Sequence, residues 1–265
     1  MNGSFLNDPA FFDNICEHFV SISGRYIRID DSGKQIGEEA HFAYSAFVID
    51  MNGKWCIVTA GHVIDQINKA LHCPNTRVER ISLADYFNVN AKITEPTPFP
   101  YQEDHALRMD QGGVDVGLLP VAEFYRESLK SNGVIPIPIG GWNGDRPHEC
   151  DAYALVGLPE ERISKIAPTT MRGSGISAQL TVVGLRPVAV PSDRIVSTIP
   201  RFAAVLLDDG ELCSPVGMSG GPILGIRWTA GGKGKYNCVA VQGTWDEKRR
   251  MVFGTPIALI VGPIK

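Results

Sequence analysis

Short apolar runs that end at glycine or proline are the feature that most constrains how this chain folds. The sequence holds 28 Gly and 18 Pro, and these two residue types end regular elements and form turns. The runs 47–49 and 55–58 are separated by a segment with Asn52-Gly53, which is a strong hairpin signal. Further short runs begin at Gly117, Val134, Ala152, Leu180, Phe202, Pro222, Cys238 and Met251. This spacing predicts many short strands in a sandwich or a barrel.

The start of the chain has a helical period instead. Asp8-Pro9 is typical of a helix start, because Asp caps free N–H groups and Pro fits the first helical position. Phe11, Ile15 and Phe19 then recur every four residues, which predicts a short amphipathic helix over about residues 9–18. Residues 94–113 are polar and contain proline, so we expect an exposed loop there.

The composition excludes several classes of protein. The chain has 265 residues, of which 44% are hydrophobic and 20% charged, so it can bury a sizeable core and is not disordered. Its net charge is −4, which excludes the strongly basic surface of a nucleic-acid-binding protein. No apolar stretch reaches the roughly 18 residues of a membrane helix, and the N-terminus does not have the pattern of a secretory signal. We therefore expect a cytoplasmic protein with no nucleic-acid partner and no membrane partner.

The cysteines and histidines do not follow a metal-binding pattern. The six cysteines include no C-x-x-C pair, and the six histidines show no H-E-x-x-H spacing. A phosphate-binding glycine loop is also missing from the sequence. We expect no metal and no cofactor, and reduced, mostly buried thiols. Cys213 and Cys238 are the one pair considered for a bridge, and the preferred interpretation is two ordinary core residues.

Two segments carry a candidate base and a candidate carboxylate. In Thr59-Ala60-Gly61-His62, a buried-looking run stops at a small turn, which places the His62 imidazole at a strand end beside a cleft. Asp115 lies among apolar residues in the run 114–119, where an imidazole N–H would satisfy its carboxylate. Each residue alone also has an ordinary interpretation: a structural histidine, or an aspartate that accepts hydrogen bonds from backbone amides.

A third segment, Gly217-Met218-Ser219-Gly220-Gly221-Pro222, surrounds one hydroxyl with glycines. Such a loop lets backbone amides approach a ligand, and the N–H groups of Gly217 and Ser219 can point at a developing oxyanion. G-x-S-x-G is also typical of the nucleophile elbow of α/β-hydrolases, which requires a histidine after the serine. The last histidine here is His148, so that interpretation fails. A tight turn between strands is the alternative for this segment alone.

The order His62, Asp115, Ser219 matches one of the three common orders of a catalytic triad. The three segments resemble the T-A-G-H, D-[VI]-x-[LV]-L and G-x-S-G-G-P motifs of the chymotrypsin-like (trypsin-fold) serine peptidases, and the resemblance extends from about Phe42 to Ile257. It is closest in style to bacterial HtrA-like and stand-alone trypsin-like peptidases. The resemblance implies an all-β fold of two six-stranded antiparallel β-barrels after the short helix. It also implies a single domain over 1–265, with the first barrel at about 20–125 and the second at about 134–260.

The resemblance also implies a role for each site residue. Ser219 would attack a peptide carbonyl, His62 would take its proton, and Asp115 would orient the imidazole. The amides of Gly217 and Ser219 would form the oxyanion hole. The primary substrate pocket would be lined by Cys213 at its base, Ser214, Gln242, Gly243, Thr244 and Met251.

The pocket predicted by the resemblance is uncharged at its base. A substrate Arg or Lys buried against the Cys213 thiol would lack a carboxylate partner. We therefore expect cleavage after a small or medium uncharged residue. The acids that would change this expectation, if a loop brought one inward, are Asp208, Asp209, Glu211 and Asp246.

The chain departs from the digestive members of the family at two positions. Val63 follows His62 where those members have a half-cystine, and Met218 precedes Ser219 where they have the Asp that pairs with a new N-terminus. We therefore expect no disulfide at the first position and no zymogen activation. Only 46 residues follow Ser219, so an appended PDZ domain is not expected.

The leading prediction is a serine endopeptidase that cleaves protein or peptide substrates through an acyl-enzyme on Ser219. Narrow specificity, a shifted loop, or a protein activator or effector would limit its activity. Two alternatives stay open: a catalytically silent binding module with this fold, and a viral-type processing protease.

Overall fold

The computed structural model describes residues 9–109, 112–141, 149–166, 175–194, 199–207, 212, 214–229 and 234–261. The first described element is helix α1 (Pro9–Cys16), as the sequence predicts, and its buried residues are Phe11, Ile15 and Cys16. The rest of the described chain is mainly β-structure in two halves. The predicted all-β class with a short N-terminal helix is therefore confirmed.

The first half forms an antiparallel sheet of seven strands. In chain order the strands are β1 (Phe19–Ile29), β2 (Gln35–Met51), β3 (Lys54–Thr59), β4 (Thr76–Ala84), β5 (Thr97–Pro98), β6 (Leu107–Met109) and β7 (Val116–Pro120). Their order across the sheet is β5-β4-β1-β2-β3-β7-β6. The sheet packs with α2 (Gly61–His72) and α3 (Glu123–Ser131) around a core that includes Ile22, Val48, Ile57, Ile64 and Leu129.

The two edge strands distinguish this sheet from the six-stranded barrel implied by the resemblance. Strands β5 and β6 have 2 and 3 residues, and they lie in the segment 94–113 that the sequence predicts as a loop. Strands this short form few ladder hydrogen bonds. Within the described ranges they extend the sheet at its two ends rather than pairing with each other.

The turn between β2 and β3 is the predicted Asn-Gly hairpin. Both turn residues have positive φ, 56° for Asn52 and 84° for Gly53, which a two-residue turn of this hand requires. The Gly53 N–H donates to Asp50 Oδ1 at 2.6 Å. The turn sets the register in which Phe47 pairs with Val58, so β3 ends beside the middle of the sheet.

The second half forms a closed antiparallel barrel of six strands, as expected. In chain order they are β8 (Ala152–Gly157), β11 (Thr181–Pro187), β12 (Phe202–Leu206), β13 (Pro222–Trp228), β14 (Gly234–Asp246) and β15 (Met251–Pro256). A separate hairpin, β9 (Ile163–Ile166) with β10 (Gly175–Ala178), leaves the barrel after β8. The short helix α4 (Ala258–Val261) follows β15.

One apolar core joins the two halves. It contains Phe47 and Val116 from the sheet together with Val156 and Val241 from the barrel, and Ile15 of α1 packs in it. All five side chains are at most 1% exposed. Burial of this shared surface stabilises the contact between sheet and barrel, and the candidate site lies along that contact.

Candidate active site

His62 is positioned by the end of β3 and the start of α2. The strand ends at Thr59, and α2 begins at Gly61, so His62 is its second residue. Val63 and Ile64, at most 1% exposed, fix the helix against the first-half core. The His62 side chain stays 37% exposed. The sequence therefore folds locally so that the helix is anchored while its imidazole reaches solvent.

Asp115 immediately precedes β7, which pairs antiparallel with β3 so that Thr59 faces Gly117. This register brings the carboxylate beneath His62. Asp115 Oδ2 lies 2.7 Å from His62 Nδ1, and Asp115 Oδ1 accepts the His62 backbone N–H at 2.9 Å. The two bonds hold both the ring and the main chain of His62, so the imidazole has one defined orientation.

The electrostatics of the pair favour an ionised carboxylate. Burial by itself raises the pKa of Asp115, but hydrogen bonds and charge from His62, with the backbone N–H groups of His62 and Gly61, hold this pKa below its ordinary value. An ionised Asp115 accepts the Nδ1 proton. This bond leaves Nε2 as the ring nitrogen that can accept a proton, as a general base requires.

Ser219 lies in a loop whose shape depends on two glycines with positive φ. Gly217 has φ 91° and Gly220 has φ 90°, a region that residues with a side chain rarely adopt. A Cβ on Gly220 would also lie 2.4 Å from Ser45 O, and one on Gly217 would lie 2.7 Å from Leu158 O. The glycines let the Ser219 loop approach the neighbouring strands closely.

Gly243 on β14 contacts two of the three side chains, Asp115 and Ser219, and His62 is joined to them through Asp115. A Cβ on Gly243 would lie 2.7 Å from Asp115 Oδ2, and the Gly243 carbonyl accepts the Ser219 hydroxyl at 3.4 Å. Among the described residues, this is the hydrogen bond that the hydroxyl makes, and it does not bond to His62 Nε2. Catalytic hydrogen bonds often tighten only with substrate present.

The backbone N–H groups of Gly217 and Ser219 have no hydrogen-bond partner within the described part of the chain. Their neighbours are fixed: Met218 N–H donates to Pro215 O at 3.0 Å, and Gly221 N–H donates to Met218 O at 2.9 Å. Two free amides beside a hydroxyl can stabilise an oxyanion.

Ser45 and Thr255 are site residues that the sequence reasoning missed. Ser45 Oγ donates to Gly217 O at 3.1 Å and accepts the Leu158 N–H at 2.9 Å. Thr255 Oγ1 accepts the Asp115 N–H at 3.0 Å and thereby ties β15 to the first half. Neither residue belongs to a recognisable motif, and each acts across more than 100 residues of sequence, so no local signal indicates its role.

The residues predicted to line the primary pocket are placed as follows. Ser214 accepts the Val216 N–H, and its own N–H donates to Glu161 Oε2 at 3.2 Å. Gln242 is 1% exposed and donates through Nε2 to Thr244 O at 3.3 Å. Thr244 is exposed beside Gly243. Cys213 lies outside the described residues.

Met251 packs away from the barrel interior. It forms a small cluster with Ala203 and Phe253, while Val252 between them packs inward with Met218. Successive side chains of a strand point to opposite faces, so Met251 lies on the outer face of β15.

Asp246 is engaged by arginines. Its Oδ2 lies 2.7 Å from Arg194 Nη2 and 2.8 Å from Arg249 Nη1, and its side chain is 5% exposed. The other acids near the predicted pocket, Asp208, Asp209 and Glu211, lie outside the described residues.

The described ranges contain no helix with the length and apolar character needed to cross a bilayer. In the same ranges, no three His, Cys, Asp or Glu side chains lie together in a way that would hold a metal ion. The described cysteines, Cys16, Cys56, Cys73, Cys150 and Cys238, are free thiols.

The seven-stranded sheet and the six-stranded barrel, joined by one core, have the all-β architecture of a chymotrypsin-like fold. Solved structures with a similar chain path include a thermostable serine protease AL20 from an extremophilic microorganism. It has a TM-score of 0.42 and 12% identity, with 89% of this chain and 90% of that chain covered. Another is Deg5, with a TM-score of 0.47, 17% identity, and coverage of 100% of this chain and 95% of that chain. No protein-family model and no curated protein sequence matches this chain.

Proposed function

We propose that this protein is a serine endopeptidase that cleaves peptide bonds through an acyl-enzyme on Ser219. The observation that carries the proposal is the two-point bond from His62 to Asp115, at 2.7 Å and 2.9 Å. A lone structural histidine needs one partner. A histidine whose ring and backbone are both fixed, and whose side chain is still 37% exposed, is suited to proton transfer.

In the proposed mechanism, Ser219 Oγ attacks the substrate carbonyl carbon while His62 Nε2 accepts the hydroxyl proton. The carbonyl oxygen gains the negative charge and is stabilised by the free N–H groups of Gly217 and Ser219. When the carbon–nitrogen bond breaks, His62 gives the proton to the leaving amine. Water then attacks the ester on Ser219, His62 accepts its proton, and the serine hydroxyl is regenerated.

In these reaction steps, Asp115 acts through its position and its negative charge. Its bond to Nδ1 keeps the imidazole in the tautomer that leaves Nε2 free, and its negative charge stabilises the imidazolium formed after proton transfer. The Asp115 N–H bond to Thr255 holds the carboxylate relative to the barrel that supplies Ser219.

Met218 supports activity without cleavage at the N-terminus. Its side chain is 0% exposed and packs in the barrel core with Phe202 and Ile223. Thioether and hydrocarbon contacts therefore fix this residue, where the digestive members use an ion pair. The proposal is that the Ser219 loop reaches its active shape on folding alone.

The second candidate, a catalytically silent binding module, is favoured by one observation. The Ser219 hydroxyl donates to Gly243 O rather than to His62. Such a module would bind a peptide along the same surface without forming an ester.

A fluorophosphonate probe separates the two candidates, because it labels only a serine that is activated as a nucleophile. We expect labelling and peptide cleavage by the wild type and by Ser131→Ala, whose hydroxyl bonds to Ser128 O at the end of α3. Ser219→Ala and His62→Ala should each lose several orders of magnitude in kcat, and the double variant should be scarcely worse. No labelling of the folded wild type would support the binding module.

A further inference from the structure

Arg201 is a half-buried cation beside the candidate site that the mechanism does not use. It immediately precedes β12, and its Nη2 donates to Thr244 Oγ1 at 2.5 Å. The guanidinium carbon lies 4.9 Å from the centre of the Phe253 ring, within the range of a cation–π contact. These two contacts fix the plane of the guanidinium on the surface of the barrel.

Strand register places Arg201 on the face of the barrel that meets the catalytic residues. Ala203 pairs with Phe253, and Phe253 also pairs with Thr244. Residues two apart on a strand share a face, so Arg201 lies on the face of Ala203, and Thr255 on that of Phe253. This is the face that Asp115 contacts through Thr255.

The charge of Arg201 has no carboxylate partner among the described residues. Its Nε is buried and makes no hydrogen bond there. Among the described residues, the anion whose charge acts on Arg201 is Asp115, and both oxygens of that carboxylate accept hydrogen bonds from His62. By contrast, Arg194 and Arg249 both bond to Asp246. Burial lowers the pKa of Arg201 and the Asp115 charge opposes this effect, so a further anion would stabilise the guanidinium.

The edge of β14 next to Arg201 is open to an added strand. Strand β13 pairs with β14 only as far as Pro222, which lies opposite Val241. Beyond Val241, the edge of β14 that faces the Ser219 loop therefore has no neighbouring strand among the described residues. An extended peptide can add to such an edge through its main chain.

The position of Ser219 sets the direction of that peptide. The carbonyl nearest to Ser219 Oγ on this edge is that of Gly243, so the N–H of the residue under attack would donate to it. In an antiparallel pair, the substrate residues before the attacked carbonyl then run along Thr244 and Trp245. Thr244 is the residue to which Arg201 is bonded.

We propose that Arg201 selects substrates with an acidic side chain two to four residues before the cleaved bond. This inference rests on the proposed peptidase function and adds a substrate class to it. A carboxylate in that position would accept hydrogen bonds from the N–H groups of the Arg201 guanidinium that do not bond to Thr244. Charge-assisted bonds of this geometry are among the stronger polar contacts in proteins.

The test uses fluorogenic peptides that differ only by Glu or Gln at one position, which lies two, three or four residues before the cleaved bond. We expect the wild type to favour Glu over Gln in kcat/KM by about tenfold to a hundredfold at one of these positions. In the Arg201→Gln variant, the ratio of kcat/KM for the Glu and Gln peptides should fall to near one. The variant should still cleave the Gln peptide at a rate within about threefold of the wild type. Arg201→Lys should keep part of the preference, because the charge stays and the planar fork is lost.

Arg77→Gln is the matched control, since Arg77 is exposed on β4 and contacts Glu79; its Glu preference should equal that of the wild type. Thermal melting establishes that each variant is folded. A Glu preference that survives in Arg201→Gln would overturn the proposal. An equal loss on both peptides would also overturn it, because Arg201 would then act through Asp115. Fluorophosphonate labelling without any Glu preference would refute this inference alone, whereas the absence of labelling would refute the peptidase function and this inference together.

Discussion

Gly243 is the residue on which the alignment of the candidate triad depends most directly. Its backbone carbonyl accepts the Ser219 hydroxyl, and its Cα lies so close to Asp115 that a methyl group would be 2.7 Å from Oδ2. No backbone strain is involved, since its φ lies outside the left-handed region between +20° and +160°. A side chain here would therefore act on the site by displacing the carboxylate from His62.

We expect Gly243→Ala to lower kcat/KM by about a hundredfold, because a displacement of about 1 Å in a catalytic group costs this much. Gly175→Ala is the control, since a Cβ at Gly175 meets no atom within 4 Å. Peptide hydrolysis by the two variants, compared after urea unfolding has shown both to be folded, tests the prediction. Wild-type activity in a folded Gly243→Ala would mean that this contact does not position Asp115.

Asp115 also makes stability depend on pH. Burial by itself raises the pKa of Asp115. This pKa is nevertheless lowered overall, because hydrogen bonds and charge from His62, with the backbone N–H group of Gly61, outweigh the effect of burial. The unfolded pKa is about 3.9, so the folded value is the lower one. The ionised carboxylate therefore contributes stability that is present above about pH 4 and is lost as the pH falls through the folded pKa.

The expected result is a difference in unfolding free energy between wild type and Asp115→Asn that is largest near pH 7 and shrinks toward pH 3. Urea unfolding at a series of pH values measures it. A difference that stays constant or widens as the pH falls would contradict the assigned direction of the pKa.

At the scale of elements, the Ser219 loop is held by apolar packing and by hydrogen bonds to strands. Met218 is buried beneath it in the barrel core, Ser45 of β2 holds Gly217 O, and the Gly220 N–H donates to Gln242 O of β14 at 2.8 Å. None of these contacts involves a charged group that a new N-terminus would supply.

We therefore predict that a fusion tag left in place before Met1 does not reduce peptidase activity appreciably. Rates with the tag attached and after its removal should agree within about twofold, an effect near the background of surface changes. Activity that arises only after cleavage at one exact N-terminal residue would show that an activation switch exists.

Strand β14 also bears on primary specificity. Asp246, at its last residue, is held by Arg194 and Arg249, and its pKa is lowered by the bond to Arg249 together with Arg194. A carboxylate that already forms ion pairs with two arginines is a poor partner for a substrate cation.

Peptide-library profiling should accordingly give cleavage after Ala, Val, Leu or Thr, with the same profile in Asp246→Asn. Efficient cleavage after Arg or Lys that disappears in Asp246→Asn would show that this acid reaches the pocket. The matched control is Asp193→Asn, which removes the other carboxylate bonded to Arg249.

At the scale of the whole molecule, turn chemistry and hydrophobic period predict many short strands, the N-terminal helix and the Asn52-Gly53 hairpin. These features have strong local signals, whereas the closed barrel of the second half was expected only from the family resemblance. Strand β1 was missed, because Gly24 and polar residues such as Ser21 and Ser23 interrupt its apolar pattern. Gly24 is required there because a Cβ would lie 2.5 Å from Arg80 O on β4, a contact no local pattern reveals.

The site shows the same division between local and distant signals. The three segments that contain His62, Asp115 and Ser219 can be recognised in the sequence. The structure places Asp115 and Ser219 beside Gly243 and joins His62 to Asp115. Their assignment as a catalytic triad stays a prediction. The hydrogen bonds by which Ser45 and Thr255 hold the site could not be predicted, because they join segments separated by 172 and 140 residues.

The shared core between sheet and barrel has a consequence for the cell that synthesises this chain. Proteins emerge from the ribosome N-terminal end first and tend to fold in that order. Under the proposed mechanism, the candidate base and its carboxylate are therefore made before the candidate nucleophile. Strands β13, β14 and β15, which close the barrel that shares a core with Val116 and Phe47, follow Ser219 in the chain. A peptidase with its reacting groups divided in this way would stay inactive toward the ribosome and neighbouring nascent proteins until the second half has been made and has folded.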